Sequence, residues 1–169
     1  MTTHTREQIM VEVTSKPAEV QSLKVNEKKW TVPLMKAGWS VFPNIILEKQ
    51  KALGLDALDI NIILHLVQYW WEPGNHPHPS VGTIAEAVQV TERTVQKRIK
   101  ALQELGLITR EERRFTKQGS MTNLYKFDGL IKHATPFAHE KLEEIEKAKA
   151  AKKERLARKK PQLTLVPKA

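Results

Sequence analysis

Between Asp56 and Trp71 the apolar positions Ile60, Ile63, Leu64, Val67 and Trp71 recur at three- and four-residue steps. That spacing puts them on one helical face and predicts a helix from an Asp56 N-cap to about Trp71. Glu72-Pro-Gly-Asn-His-Pro-His-Pro then breaks it, because three prolines and a glycine cannot continue a helix. Ser80 can cap a second helix through about Val88, with Thr83 a rival cap and Glu86 three residues on. Thr91 can cap a third, from Glu92 to Leu105, with Gly106 ending it. After Gly106 the period changes to two. Leu107–Glu111 reads as a strand and Thr122–Phe127 as its partner, with Tyr125 and Phe127 on one face. Arg113–Ser120 between them reads as a hairpin loop with Gly119 at the turn. Thr135-Pro136 reads as the start of a last helix running to about Lys160.

Upstream, residues 1–30 are polar, show no sustained period and read as a mobile arm. Trp30-Thr-Val-Pro-Leu and Gly38-Trp-Ser-Val-Phe-Pro read as extended pieces, since the residue before a proline is pushed toward extended geometry. A short helix from about Asn44 to Leu53 follows, with Gly54 suited to its C′ position.

The 91–105 helix carries the candidate chemistry. Val95, Ile99, Leu102 and Leu105 form a stripe to bury, and Arg93, Gln96, Lys97 and Lys100 occupy the other side. A guanidinium, an amide and two ammonium groups match what the DNA major groove offers: Arg to guanine edges, Gln to adenine edges, Lys to guanine or phosphate. The N-terminal part of such a helix reaches the bases, so Arg93, Thr94, Gln96 and Lys97 are the expected readers and Lys100 an expected phosphate contact. The bland alternative is a solvated helix face. The basic hairpin that follows favours DNA: Arg113, Arg114 and Lys117 on a wing can hold flanking backbone or enter the minor groove. Glu111 and Glu112 at its base dilute that charge.

Charge sharpens this. The 169 residues carry a formal net charge of +9, of which residues 1–30 hold +1, residues 31–135 hold +3 and residues 136–169 hold +5. Within the middle segment residues 91–117 are +4, so the rest of it is net acidic. The C-terminal run Lys147–Lys160 has eight Lys/Arg and one Glu, after an acidic start with Glu140, Glu143, Glu144 and Glu146. Acid first and base last suits the helix dipole. The run reads as a solvated helix or as a tail adding nonspecific phosphate affinity. Leu142 and Ile145 can also pair two subunits, although Lys149 and Lys152 interrupt the heptad.

Several classes fall away. With no cysteine there is no disulfide scaffold, thiol catalysis or cysteine-ligated metal. No apolar run approaches the ~18 residues of a membrane span, and no export signal is visible, so a soluble cytoplasmic protein is expected. His76-x-His78 has only Glu72 nearby and reads as a surface loop. Asp56 and Asp59 read as helix N-terminal charges. Trp70 and Trp71 can stack bases, but at least one is expected in the core. Without a glycine-rich phosphate loop, Gly-x-Ser-x-Gly or His-Glu-x-x-His, no residues can be assigned to catalysis, to a metal, to a cofactor or to a small-molecule ligand.

Residues about 38–127 resemble the winged helix-turn-helix domains of bacterial regulators and of plasmid or phage replication proteins. The carrying residues are GWSVFPNIIL at 38–47, QYWWEP at 68–73 and PSVGTIAEAVQVTERTVQKRIKALQELGLI at 79–108. Within the last block Ile84-Ala85, Thr91, Thr94-Val95 and Leu105 to Ile108 follow the family's pattern, and Thr122–Phe127 resembles the return strand of the wing. Gln89 departs from it: glycine is usual in that turn, where left-handed backbone is common.

The expected architecture is therefore mainly α with a small β-hairpin, a winged helix-turn-helix followed by a long basic helix. Its divisions are a flexible arm (1–30), the DNA-binding domain (31–134) and a basic helical tail (135–169). The partner is double-stranded DNA. The expected contacts are Ser80 and Thr83 at the start of the second helix, Thr91, Arg93, Thr94, Gln96, Lys97 and Lys100 on the third, and Arg113, Arg114 and Lys117 on the wing. The first expectation is a transcriptional regulator. Replication initiation for a mobile element and a winged protein-interaction module are the alternatives. The resemblance also implies two copies on two half-sites.

Overall fold

The computed structural model describes residues 17–115, 119–120 and 122–157. They fall into two compact units divided between Val41 and Phe42.

The first unit holds α1 (Pro17–Trp30) and α2 (Val32–Ala37). Two expectations are corrected here. Residues 17–30 are helical where a mobile arm was expected, and Thr31–Leu34 enter a helix where an extended piece was expected. Pro17 opens α1, and Ala, Glu, Gln, Leu and Lys then favour helix by propensity alone. Their apolar members make no stripe, so periodicity is silent. In α2 Pro33 sits in the first turn, where its missing N–H costs nothing.

The second unit begins with α3 (Asn44–Glu48), shorter than the helix expected to Leu53. Turns carry the chain to Gly54, whose N–H donates to the Lys51 carbonyl while Leu55 N–H donates to that of Gln50. This is the paired bonding of a Schellman close. Helix α4 (Ala57–Val67) starts on a reciprocal cap: the Asp59 N–H donates to the Asp56 carboxylate and the Asp56 N–H to that of Asp59. It buries Ile60, Ile62, Ile63 and Leu66. It ends four residues before the expected Trp71, because the Gln68 amide donates to the His65 carbonyl and Tyr69 and Trp70 tighten the last turn. Trp71 is therefore exposed and Leu64 only partly covered.

Ser80 caps α5 (Val81–Val88) and Thr91 caps α6 (Glu92–Glu104), each hydroxyl accepting from the N–H three residues on. Between them Gln89 adopts left-handed backbone, φ 59° and ψ 44°. Its N–H donates to Glu86 and that of Val90 to Ala85, the same close that Gly54 makes. Gly106 repeats it after α6 through Gln103 and Leu102. Val95, Ile99 and Leu102 are buried as expected, but Leu105, already in the cap, is half exposed.

Strand β1 (Thr109–Glu111) pairs antiparallel with β4 (Leu124–Lys126), Arg110 opposite Tyr125. Further out β2 (Arg114–Phe115) pairs with β3 (Gly119–Ser120). Gly119 lies in that ladder opposite Phe115 and not at a turn, and residues 116–118, including Lys117, lie outside the described residues. Tyr125 N–H donates to the Pro77 carbonyl at 2.9 Å, so the proline-rich loop borders β4. Trp70 packs on Phe127 with ring centroids 5.3 Å apart, both on the core.

Helix α7 (Asp128–Ala157) starts seven residues before Thr135, and Pro136 lies inside it. The reason is tertiary. Leu130 N–H donates to the Leu107 carbonyl, and burial of Leu130 and Ala134 fixes the first turns against the domain. The Thr135 hydroxyl donates to the Ile131 carbonyl instead of capping.

Candidate nucleic-acid interface

Helix α6 is seated by three nearly inaccessible side chains, Val95, Ile99 and Leu102, so its rotation about its own axis is fixed by packing. Arg93, Gln96, Lys97 and Lys100 are consequently all exposed on the far side. Arg93, Lys97, Lys100 and Glu104 follow at steps of four, three and four, which makes them one ridge along the helix.

A groove flanks the helix on each side of that ridge. One, about 550 Å³, is lined by Thr91, Arg93, Thr94, Lys97, Arg98 and Ala101. The other, also about 550 Å³, lies toward the wing between Gln96, Lys100, Gln103 and Glu104 of α6 and Arg110 of β1.

Both helix starts present a pair of hydroxyls. Thr91 and Thr94 share a hydrogen bond of 2.9 Å between their side-chain oxygens, and Ser80 and Thr83 one of 2.8 Å. Each hydroxyl pair sits at the positive end of a helix dipole, a place suited to an anion.

Arg98 is a residue that sequence reading missed. Its guanidinium lies 2.6 Å from an Asp56 carboxylate oxygen and 3.6 Å from one of Asp59, tying α6 to the start of α4. The backbone N–H of Asp59 is the main influence holding Asp56 below its ordinary pKa, with Arg98 helping. Burial pushes Asp59 the other way, above its ordinary value. The available signal was the spacing Thr91, Thr94, Arg98, one flank of α6, but the acids that it meets lie about forty residues upstream.

On the wing, Arg113 donates through Nε to the Thr122 carbonyl at 3.0 Å and through Nη2 to the Thr122 hydroxyl at 3.2 Å. Expected on an exposed loop, Arg113 is half-buried and part of its guanidinium joins the two ends of the hairpin. Arg114 belongs to β2 and Lys117 lies outside the described residues. Of the other candidates, His78 bonds back through Nδ1 to the His76 carbonyl, Trp70 is packed on the core, and Trp71 faces outward.

Helix, left-handed turn, helix and antiparallel hairpin, in that order, constitute a winged helix-turn-helix. Residues 53–108 match the family model described as a helix-turn-helix domain. Among solved structures the chain is similar to the multiple antibiotic-resistance repressor (MarR) of Listeria monocytogenes. There the identity is 17%, 79% of this chain and 84% of that chain are covered, and the TM-score is 0.36. It is also similar to a mutant of MepR from S. aureus, with 18% identity, 85% and 98% covered and a TM-score of 0.38. No curated protein matches the chain.

Proposed function

We propose that this protein binds double-stranded DNA sequence-specifically and acts as a transcriptional regulator. The observation that carries the reading is the α6 ridge: Arg93, Lys97 and Lys100 exposed over a buried Val95, Ile99, Leu102 stripe, in the second helix of a helix-turn-helix. A helix so presented enters the major groove N-terminus first, with Arg93, Thr94, Gln96 and Lys97 at base edges. Lys100 and the hydroxyls of Ser80, Thr83 and Thr91 meet phosphate, which positions the helix without reading sequence. The wing, with Arg113, Arg114 and Lys117, holds flanking DNA, and the basic end of α7 adds affinity common to all sequences.

The test is binding to genomic fragments at several salt concentrations. Five or six phosphate contacts predict a log–log slope of about −4 to −6. A flat slope removes DNA binding and leaves a protein-interaction module. Mapping the bound sites then checks the regulatory role: overlap with promoters supports it, and iterated repeats at an origin replace it with replication.

A further inference from the structure

The α6 ridge is basic at three positions and acidic at the fourth. Glu104 occupies the place, one turn past Lys100, where a fourth cation would extend the phosphate contact. Its carboxylate lies 3.7 Å from the Lys100 ammonium. Across the same groove the Arg110 guanidinium lies 3.6 Å from the Glu112 carboxylate. The two cations lining the wing-side groove are therefore each held by a carboxylate close by in sequence, Glu104 one turn on along α6 and Glu112 just past the end of β1, and these four groups together carry no net charge.

We propose that Glu104 is a specificity-determining residue of the DNA-binding face and that Lys100 and Arg110 together take one backbone phosphate of the duplex. This deepens the DNA-binding reading above and rests on it. The Lys100–Glu104 pair is long and its side chains are 77% and 67% exposed, so it is weak in water. A phosphate can displace it at little cost. What remains is the uncompensated Glu104 carboxylate, which repels a backbone lying along the C-terminal half of α6. A duplex laid flat on the helix meets that repulsion in full. A duplex seated with its bases on Arg93 and Gln96 brings a phosphate to Lys100 and Arg110 and leaves Glu104 at the edge. Glu104 therefore lowers affinity for every sequence but lowers it most for the wrong seating, which raises discrimination. Arg110 supplies the groove's wall from β1, a position that the helix pattern alone did not single out.

The experiment is fluorescence anisotropy of the full chain with a mixed-sequence duplex of about 20 base pairs at several KCl concentrations. Glu104→Gln keeps side-chain length and helix propensity at an exposed site. It binds this duplex about two- to fivefold more tightly at low salt, with the gap closing as salt rises. Arg110→Gln weakens binding and makes the salt slope shallower, by no more than about 0.9 because Lys100 still faces the shared phosphate, while Arg110→Lys restores the slope. In a Lys100→Gln background the Glu104→Gln gain persists, since the carboxylate repels the backbone whether or not the ammonium is present, and a gain that vanishes there would reduce Glu104 to a partner of Lys100 and overturn the proposal. A parent chain that binds no duplex overturns both readings. A parent that binds, with Glu104→Gln unchanged or weaker on the mixed-sequence duplex, or gaining equally on a duplex carrying a mapped site, or with Arg110→Gln keeping the full slope, overturns this one alone.

Discussion

Gly129, in the first turn of α7, lies directly against the carbonyl of Gly106. A methyl built on Gly129 falls 1.9 Å from that oxygen and 3.1 Å from the Leu107 carbonyl oxygen. The contact is backbone on backbone, so no side chain can swing aside. The Leu130 N–H, one residue on, donates to Leu107 at 2.8 Å and holds the two segments together.

Gly129→Ala is therefore expected to destabilise the fold by about 3 kcal/mol or more, although Gly→Ala in a helix ordinarily stabilises by up to about 1 kcal/mol. Thermal unfolding of Gly129→Ala against Gly74→Ala tests it, since nothing lies within 4 Å of a Cβ on Gly74. Equal melting temperatures for the two variants would show that α7 is not seated this way.

Gln89 predicts the opposite sign. Its φ of 59° places a side-chain residue where Gly54 and Gly106, at φ 73° and 69°, do the same job in the other two helix closes. Left-handed backbone costs a residue with a Cβ about 1 kcal/mol relative to glycine. Gln89→Gly should raise unfolding free energy by about 0.5–1 kcal/mol in denaturant titration, less what glycine loses in the unfolded chain. A fall in stability would mean that the Gln89 side chain contributes a contact worth more than the strain.

Asp56 and Asp59 act in opposite directions with pH. Asp56 is held below its ordinary value of 3.8, chiefly by the Asp59 N–H, so its contribution is present above that value and is lost as pH falls through the folded one. Asp59 is raised by burial, so ionising it costs the fold as pH rises through its folded value, and that cost is absent in acid. Together they offset one another. Asp59→Asn keeps an oxygen to accept the Asp56 N–H and removes the raised group together with its 3.6 Å charge contact to Arg98, while the shorter Arg98–Asp56 pair remains. Its stability should fall more steeply than the parent's between about pH 5 and pH 2, as read by urea midpoints. A shallower fall would reverse the assignment.

Arg93→Ala should cost about 1–3 kcal/mol on the preferred site and much less on mixed-sequence duplex, if Arg93 reads a base edge. Equal weakening on both would assign Arg93 to phosphate. Competition binding with the two duplexes separates these outcomes.

What could be read from the chain beforehand was local. Asp56, Ser80 and Thr91 announce their helices because an N-cap bonds to an N–H two or three residues away, within sight of the sequence. The change of period after Gly106 announced the hairpin for the same reason. The start of α7 was missed because it depends on Gly129 fitting under Gly106, a contact made only once β1 and β4 have brought those segments together. Helix α1 was missed because its apolar residues make no stripe. The exposed ridge of the candidate site followed from counting along α6. The use of Arg98 and Arg113 did not, since one finds its acids on α4 and the other its carbonyl across the hairpin. Trp71 misled because its spacing continues a stripe that the backbone has already left.

The Lys141–Glu48 bridge, 2.6 Å, clasps α7 to α3 near the middle of a 30-residue helix. At 1.5 Å per residue about 25 Å of helix extends past that clasp. Lys147, Lys149, Lys152, Lys153 and Arg155 thus ride on a stiff beam and not on a loose tether. A tether would sample every nearby phosphate at some modest effective concentration. A beam is closer to all-or-none: aimed at the duplex it engages its cations together, and aimed elsewhere it adds almost nothing, however many charges it carries.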